Sequence, residues 1–120
     1  FEGRPFALQI YETFEYQLLA RLPDTKIDVQ KSQITLRNPR VFGCVSLMRV
    51  RRPMPPVYMV VTFGLGRRLA SPRIDTAVEP YPNRWTHHAV LTRPEEVNDE
   101  LMEWMREAYD FAWLKKGVHR

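Results

Sequence analysis

Apolar residues near the start of the chain recur on one helical face. Ala7, Ile10, Tyr11, Phe14 and Leu18 stand at i, i+3, i+4, i+7 and i+11. That spacing predicts an amphipathic helix over residues 5–22. Pro5 suits its first turn, where a missing N–H costs nothing. Pro23 disfavours helix at Leu22, and Pro23-Asp24-Thr25 has turn chemistry.

After Thr25 the period drops to two. Ile27 and Val29 alternate with polar neighbours, and so do Ile34 and Leu36, but with opposite parity. A strand does not change faces without an extra residue, so a bulge or tight turn is expected near Lys31-Ser32-Gln33. Asn38-Pro39-Arg40 predicts a hairpin. The run from Val41 to Val50 is apolar on both parities, with Phe42, Cys44 and Met48 on one side and Val41, Val45 and Leu47 on the other. Residues 57–65 behave alike. Such strands are covered on both faces. Two helices on one side of a small sheet cover only one, so long loops or a second copy of the chain must meet the other, and a homodimer is one expectation. Between these runs lies a stretch rich in Arg and Pro, Arg49 to Pro56, which reads as an exposed, semi-rigid connection. Residues 74–78 read as a short strand and residues 84–91 as the last one. Alternation there puts Trp85, His87, Ala89 and Leu91 on one face and Arg84, Thr86, His88 and Val90 on the other.

The closing helix is expected over residues 93–116. Thr92 and Glu95 have capping-box spacing, and Val97, Leu101, Trp104, Met105, Ala108 and Ala112 form its apolar face. Lys115 and Lys116 suit its negative end and Gly117 its termination. The sum is one α+β domain over residues 1–120: a single antiparallel sheet of about five strands, spanning residues 26–91, with an N-terminal and a C-terminal helix packed on it. No helix falls between the strands, which disfavours a doubly wound fold.

Composition changes this picture little. Hydrophobic content of 44% and charged content of 27% are those of a chain that folds. No apolar run is long enough to cross a membrane. A single cysteine, Cys44, excludes an intramolecular disulfide and fits a reducing cytoplasm. The chain begins at Phe1, which leaves room for a segment ahead of it, a targeting signal included.

Charge distribution changes it more. The net charge is +4, yet residues 26–93 carry twelve Lys and Arg against three acids, while both flanks are acidic. A basic middle favours an anionic partner, nucleic acid among them. The bland alternative is that the flanks neutralise the middle within the fold.

The candidate chemistry is thin. Gly64-Leu65-Gly66 lacks the third glycine and following helix of a dinucleotide loop, and the Gly-Lys-Ser/Thr of a P-loop. One Cys and three His are too few for a structural zinc site, and adjacent His87 and His88 on a strand point to opposite faces. Neither a metal nor a cofactor is expected. Cys44 sits in an apolar run and reads as inert. What remains is a polar, mostly cationic set on or beside the strands: Lys31, Gln33, Arg49, Thr62, Arg73, Arg84 and His88. If they converge, they make an anion site. Trp85 and Tyr81 are the candidates for base stacking. His88, whose ordinary pKa lies near neutrality, is the best candidate acid or base.

Five segments carry a resemblance: Lys31-Ser32-Gln33-Ile34, Thr62-Phe63-Gly64-Leu65, Ser71-Pro72-Arg73-Ile74, Glu79-Pro80-Tyr81-Pro82-Asn83-Arg84-Trp85-Thr86-His87-His88 and Glu107-Ala108-Tyr109-Asp110-Phe111. Over about Lys26 to Lys115 the chain resembles an uncharacterised bacterial family, domain of unknown function 5655. Arg-Trp-Thr-His-His is the most specific part. Ser32 stands where that family usually has Thr, and both carry a hydroxyl. The resemblance implies a small α+β domain and names no catalytic residue. The leading expectation is therefore a non-enzymatic binding module with a basic sheet surface for an anionic ligand. A homodimeric interaction module, and a small enzyme using His88 and neighbouring arginines on a phosphate- or carboxylate-bearing substrate, are the alternatives.

Overall fold

The computed structural model describes residues 5–38 and 40–118, without the side chains of Tyr81 and residues 114–118. Pro39, within the hairpin turn, and His119 lie outside the described residues, as do the side chains of Lys115 and Lys116. Helix α1 (Pro5–Arg21) is followed by β1 (Lys26–Val29), β2 (Gln33–Arg37), β3 (Val41–Ser46), β4 (Met59–Leu65), β5 (Ile74–Tyr81) and β6 (Arg84–Leu91). A short 3₁₀ turn (Pro94–Glu96) leads into α2 (Asp99–Val118). The fold is α+β, as the pattern of periods predicts. The six strands, against an expectation of about five, form one antiparallel sheet in the order β1-β2-β3-β4-β6-β5.

Both helices lie on one face of this sheet. Ile34, Leu36, Val45, Met59, Val61, Phe63, Leu65, His87, Ala89 and Leu91 point toward them and are buried. The five apolar positions of α1 named from their spacing are all buried, as are Val97, just ahead of α2, and the five within α2. Phe63 stacks between His87, at 5.2 Å, and Trp104, at 6.0 Å. The β2–β3 hairpin is tied to α2 by Asn38, which donates to the Tyr109 hydroxyl at 2.9 Å, and by Phe42 edge-on to the same ring.

Two expectations fail for local reasons. Phe42 and Cys44 do not share a side: a register irregularity opposite Leu36 and Arg37 turns Phe42 toward α2 and leaves Cys44 on the other face. The closing helix does not begin at residue 93 under a Thr92–Glu95 box. Instead Glu96 accepts from the Thr92 N–H at 2.6 Å, the Thr92 hydroxyl at 3.1 Å and the Arg93 N–H at 3.2 Å, fixing the 3₁₀ turn. Burial works against this carboxylate, but those hydrogen bonds outweigh it and hold its pKa below the ordinary range. Asn98 then caps α2, its side-chain oxygen accepting from Leu101 N–H at 3.1 Å.

The second sheet face carries no helix. One end of it is covered by the connection between β3 and β4. Tyr58 donates to the Leu47 carbonyl at 2.5 Å, and Arg51 reaches across β4 and β6 to Asp75 on β5 at 2.5 Å. Val60, which points to this face, is thereby fully buried. Elsewhere no helix among the described residues covers this face: Thr35 and Ser46 are buried, and Cys44, Thr62, Thr76, Thr86 and His88 are half-buried.

Candidate functional site: the open sheet face

The middle of the open face is polar, as befits the solvated side of an antiparallel sheet. Register sets Thr35 against Cys44, Cys44 against Thr62, Thr62 against His88, and His88 against Thr76. These five side chains form a line across β2, β3, β4, β6 and β5. Thr35 is buried, and the other four are half-buried. The Thr62 hydroxyl and His88 Nδ1 are 2.8 Å apart. Burial depresses the His88 pKa, and Asp75 works in the opposite direction without cancelling it. The imidazole is therefore neutral at pH 7, with Nδ1 engaged and Nε2 left for a partner. Burial pushes the Cys44 thiol up, and the Thr62 hydroxyl beside it offsets only part of this. A thiol held protonated is a poor nucleophile.

Arg84 reaches the same face from the start of β6. The hairpin before it turns on Pro82 and Asn83, with Asn83 at φ 64°. Proline followed by a residue at positive φ is what a type II turn demands, and Asn tolerates that conformation. Asn83 N–H is fastened to the Glu79 carboxylate at 3.0 Å. Arg84 then folds over Gly64, which pairs with Thr86. A Cβ at Gly64 would fall 2.9 Å from Arg84 Nη2 and 3.0 Å from Cζ. The guanidinium thus lies against bare backbone, and only glycine leaves it that seat. Among the described residues Arg84 forms no ion pair, whereas Arg37, Arg51, Arg67 and Arg73 are held by Asp28, Asp75, Glu107 and Glu100.

Residues 1–112 match the family described as a domain of unknown function, DUF5655. The chain belongs to that family. No curated protein and no solved structure matches it. The DUF5655 match takes in α1, all six strands and most of α2, and so every residue of the polar line and Arg84.

Of the seven residues singled out by sequence, the DUF5655 fold unites three on the open face: Thr62, His88 and Arg84. Gln33 lies at the β2 end of the line, donating to the Thr35 hydroxyl at 3.1 Å, while that hydroxyl donates to Gln30 at 2.7 Å. Lys31 is exposed in the β1–β2 turn and lines a separate groove with Gln33, Ser46 and Met48. Arg49 is exposed in the proline-rich connection, beside a groove it shares with Arg51, Arg52 and Tyr58. Arg73 goes to the helix side. It bonds Asn98 at 2.8 Å, Glu100 at 3.0 Å and the Glu96 carbonyl at 2.5 Å, with its guanidinium 5.5 Å from the Trp104 ring centre. That arginine fastens β5 to the start of α2.

Sequence reasoning read Cys44 as inert and did not single out Gly64, Asp75, Thr76 or Thr86. Gly64 was visible as half of a failed phosphate-loop motif, and its role is a seat and not a cradle. Asp75 had no signal: a bulge between Ile74 and Thr76 presents it to Arg51, with its side chain 10% exposed. Among the described residues no group of three or more His, Cys, Asp or Glu stands close enough to hold a metal ion. Among them, too, no helix is long and apolar enough to cross a membrane.

Proposed function

We propose that this DUF5655 domain is a binding module whose open sheet face receives a small anion, with Arg84 as its receptor. The observation that carries the reading is the seat of that guanidinium: laid on Gly64, half-buried, and without a carboxylate partner among the described residues. Arginine's planar fork matches phosphate and carboxylate oxygens two at a time. Half-burial of the surrounding face makes such a contact stronger than it would be in bulk water. The neighbours Thr86, Thr62 and His88 add uncharged hydrogen-bonding groups to one side of it.

A small ligand fits this face better than a nucleic-acid strand. The basic middle segment spends four arginines on the protein's own carboxylates, two of them on α2. Trp85, one of the two candidates for base stacking, pairs with Leu65 on the helix side and has Arg68 5.8 Å over its ring, while the side chain of the other, Tyr81, lies outside the described residues. Turnover through Cys44 is disfavoured, because burial holds its thiol protonated.

Thermal shift against inorganic phosphate and small carboxylates tests the reading. A ligand at 100 times its Kd adds about 2.7 kcal/mol of stability. The expected result is saturable stabilisation that Arg84→Ala abolishes and Arg40→Ala leaves in place. A response equal in Arg84→Ala and the parent would overturn it. Turnover with a bell-shaped pH profile lost in His88→Ala would replace it with the enzyme reading.

A further inference from the structure

We infer that the ligand of this face is a hydroxylated anion, one that carries hydroxyl groups a few ångströms from its charged group. The inference rests on the anion-binding reading above and names the class of molecule for that same site. Its basis is the composition of what adjoins the Arg84 seat. Gly64 and Thr86 mark the level of the guanidinium on β4 and β6, and Thr62 and His88 lie two residues further along the same strands. Two residues of strand span roughly 7 Å, and neighbouring strands stand about 4.8 Å apart. Within that short reach lie Thr86, Thr62, His88 and Thr76, all half-buried, with one exposed apolar neighbour, Val78, opposite Thr86.

None of these groups is a cation at neutral pH. Each hydroxyl both donates and accepts, and the free nitrogen of a neutral imidazole does one or the other according to its tautomer. Groups of this kind are matched by ligand hydroxyls, which also play both roles. They are poorly matched by methylenes, which would strip water from them and return no hydrogen bond. One charge at Arg84 and hydroxyls beyond it therefore describe the ligand: a polyol phosphate or a hydroxy acid.

The test uses matched pairs. Glycerol 1-phosphate and propyl phosphate share a phosphate ester and differ by two hydroxyls; glycerate and propionate do the same for a carboxylate. Calorimetric titration of the full chain should show the hydroxylated member of at least one pair bound about tenfold more tightly, and the pair that shows it names the anionic group. In Thr86→Val and Thr76→Val, which preserve shape, that preference should shrink. Arg84→Ala should lose both members. Equal binding within both pairs, or a preference untouched by both valine variants, would overturn the inference and leave the anion-binding reading standing. No binding of any member to the parent protein would overturn both.

Discussion

At the scale of single residues, two side chains decide the character of the open face, and they differ in how visible they are in the sequence. Arg84 is legible: strand alternation puts it with Thr86 and His88. The seat beneath it is not, because nothing in Gly64-Leu65-Gly66 says which glycine an arginine will lie on. Gly64→Ala separates seat from fold. The added Cβ would fall 2.9 Å from Nη2, so the guanidinium must lift away. An alanine in a strand interior should otherwise stabilise by about 0.5–1 kcal/mol. The expected outcome is an unchanged or higher melting temperature with several-fold weaker phosphate binding; undiminished binding would mean that the seat is irrelevant.

His87 shows the opposite behaviour of the neighbouring position. It is fully buried on the helix side, where its Nε2 accepts from Leu69 N–H at 3.0 Å. Burial lowers its pKa, against the pull of the Phe63 and Trp85 carbonyls. His88 is lowered too. In the unfolded chain both titrate near the ordinary value of about 6.5. Folding therefore favours the neutral rings, and their contribution is fully present above that pH and lost as pH falls through the folded values. Urea midpoints should hold steady from pH 8 to 7 and fall below about pH 6.5. A midpoint that stays level down to pH 5 would contradict the assignment.

At the scale of elements, periodicity located both helices and every strand, because a core-facing stripe is written directly into spacing. What it does not record is where a strand slips. The irregularity that turns Phe42 toward α2 and the bulge that presents Asp75 leave no residue signature. The start of α2 was misread for a related reason. Thr92 and Glu95 have the right spacing for a box, but Glu96 takes the hydrogen bonds, and Asn98 makes the cap. Asn98→Ala should accordingly cost about 1 kcal/mol. Trp104 packs on Phe63 and under Arg73. Its truncation to alanine should cost roughly 3–5 kcal/mol, read from denaturant unfolding. A cost under 1 kcal/mol would mean that α2 is not docked as described.

At the scale of the whole molecule, the charge map changes meaning on folding. The surplus of basic residues in the middle of the chain suggested a polyanion partner. In the fold, Arg67 and Arg73 are held by Glu107 and Glu100 of α2, and Arg21 of α1 by Asp99. Linear charge could not reveal this, because which carboxylate meets which arginine depends on how the helices lie on the sheet. Eight of the twelve basic residues of the middle segment form no ion pair among the described residues, and of these Arg84 is the one that lies beside the neutral polar line. The measurement that tests this most directly is an NMR titration of the labelled domain with a small phosphate ester. The account predicts shifts concentrated at Gly64, Arg84, Thr86 and His88. Shifts confined instead to Lys31 in the β1–β2 turn or to Arg49, Arg51 and Arg52 would contradict it.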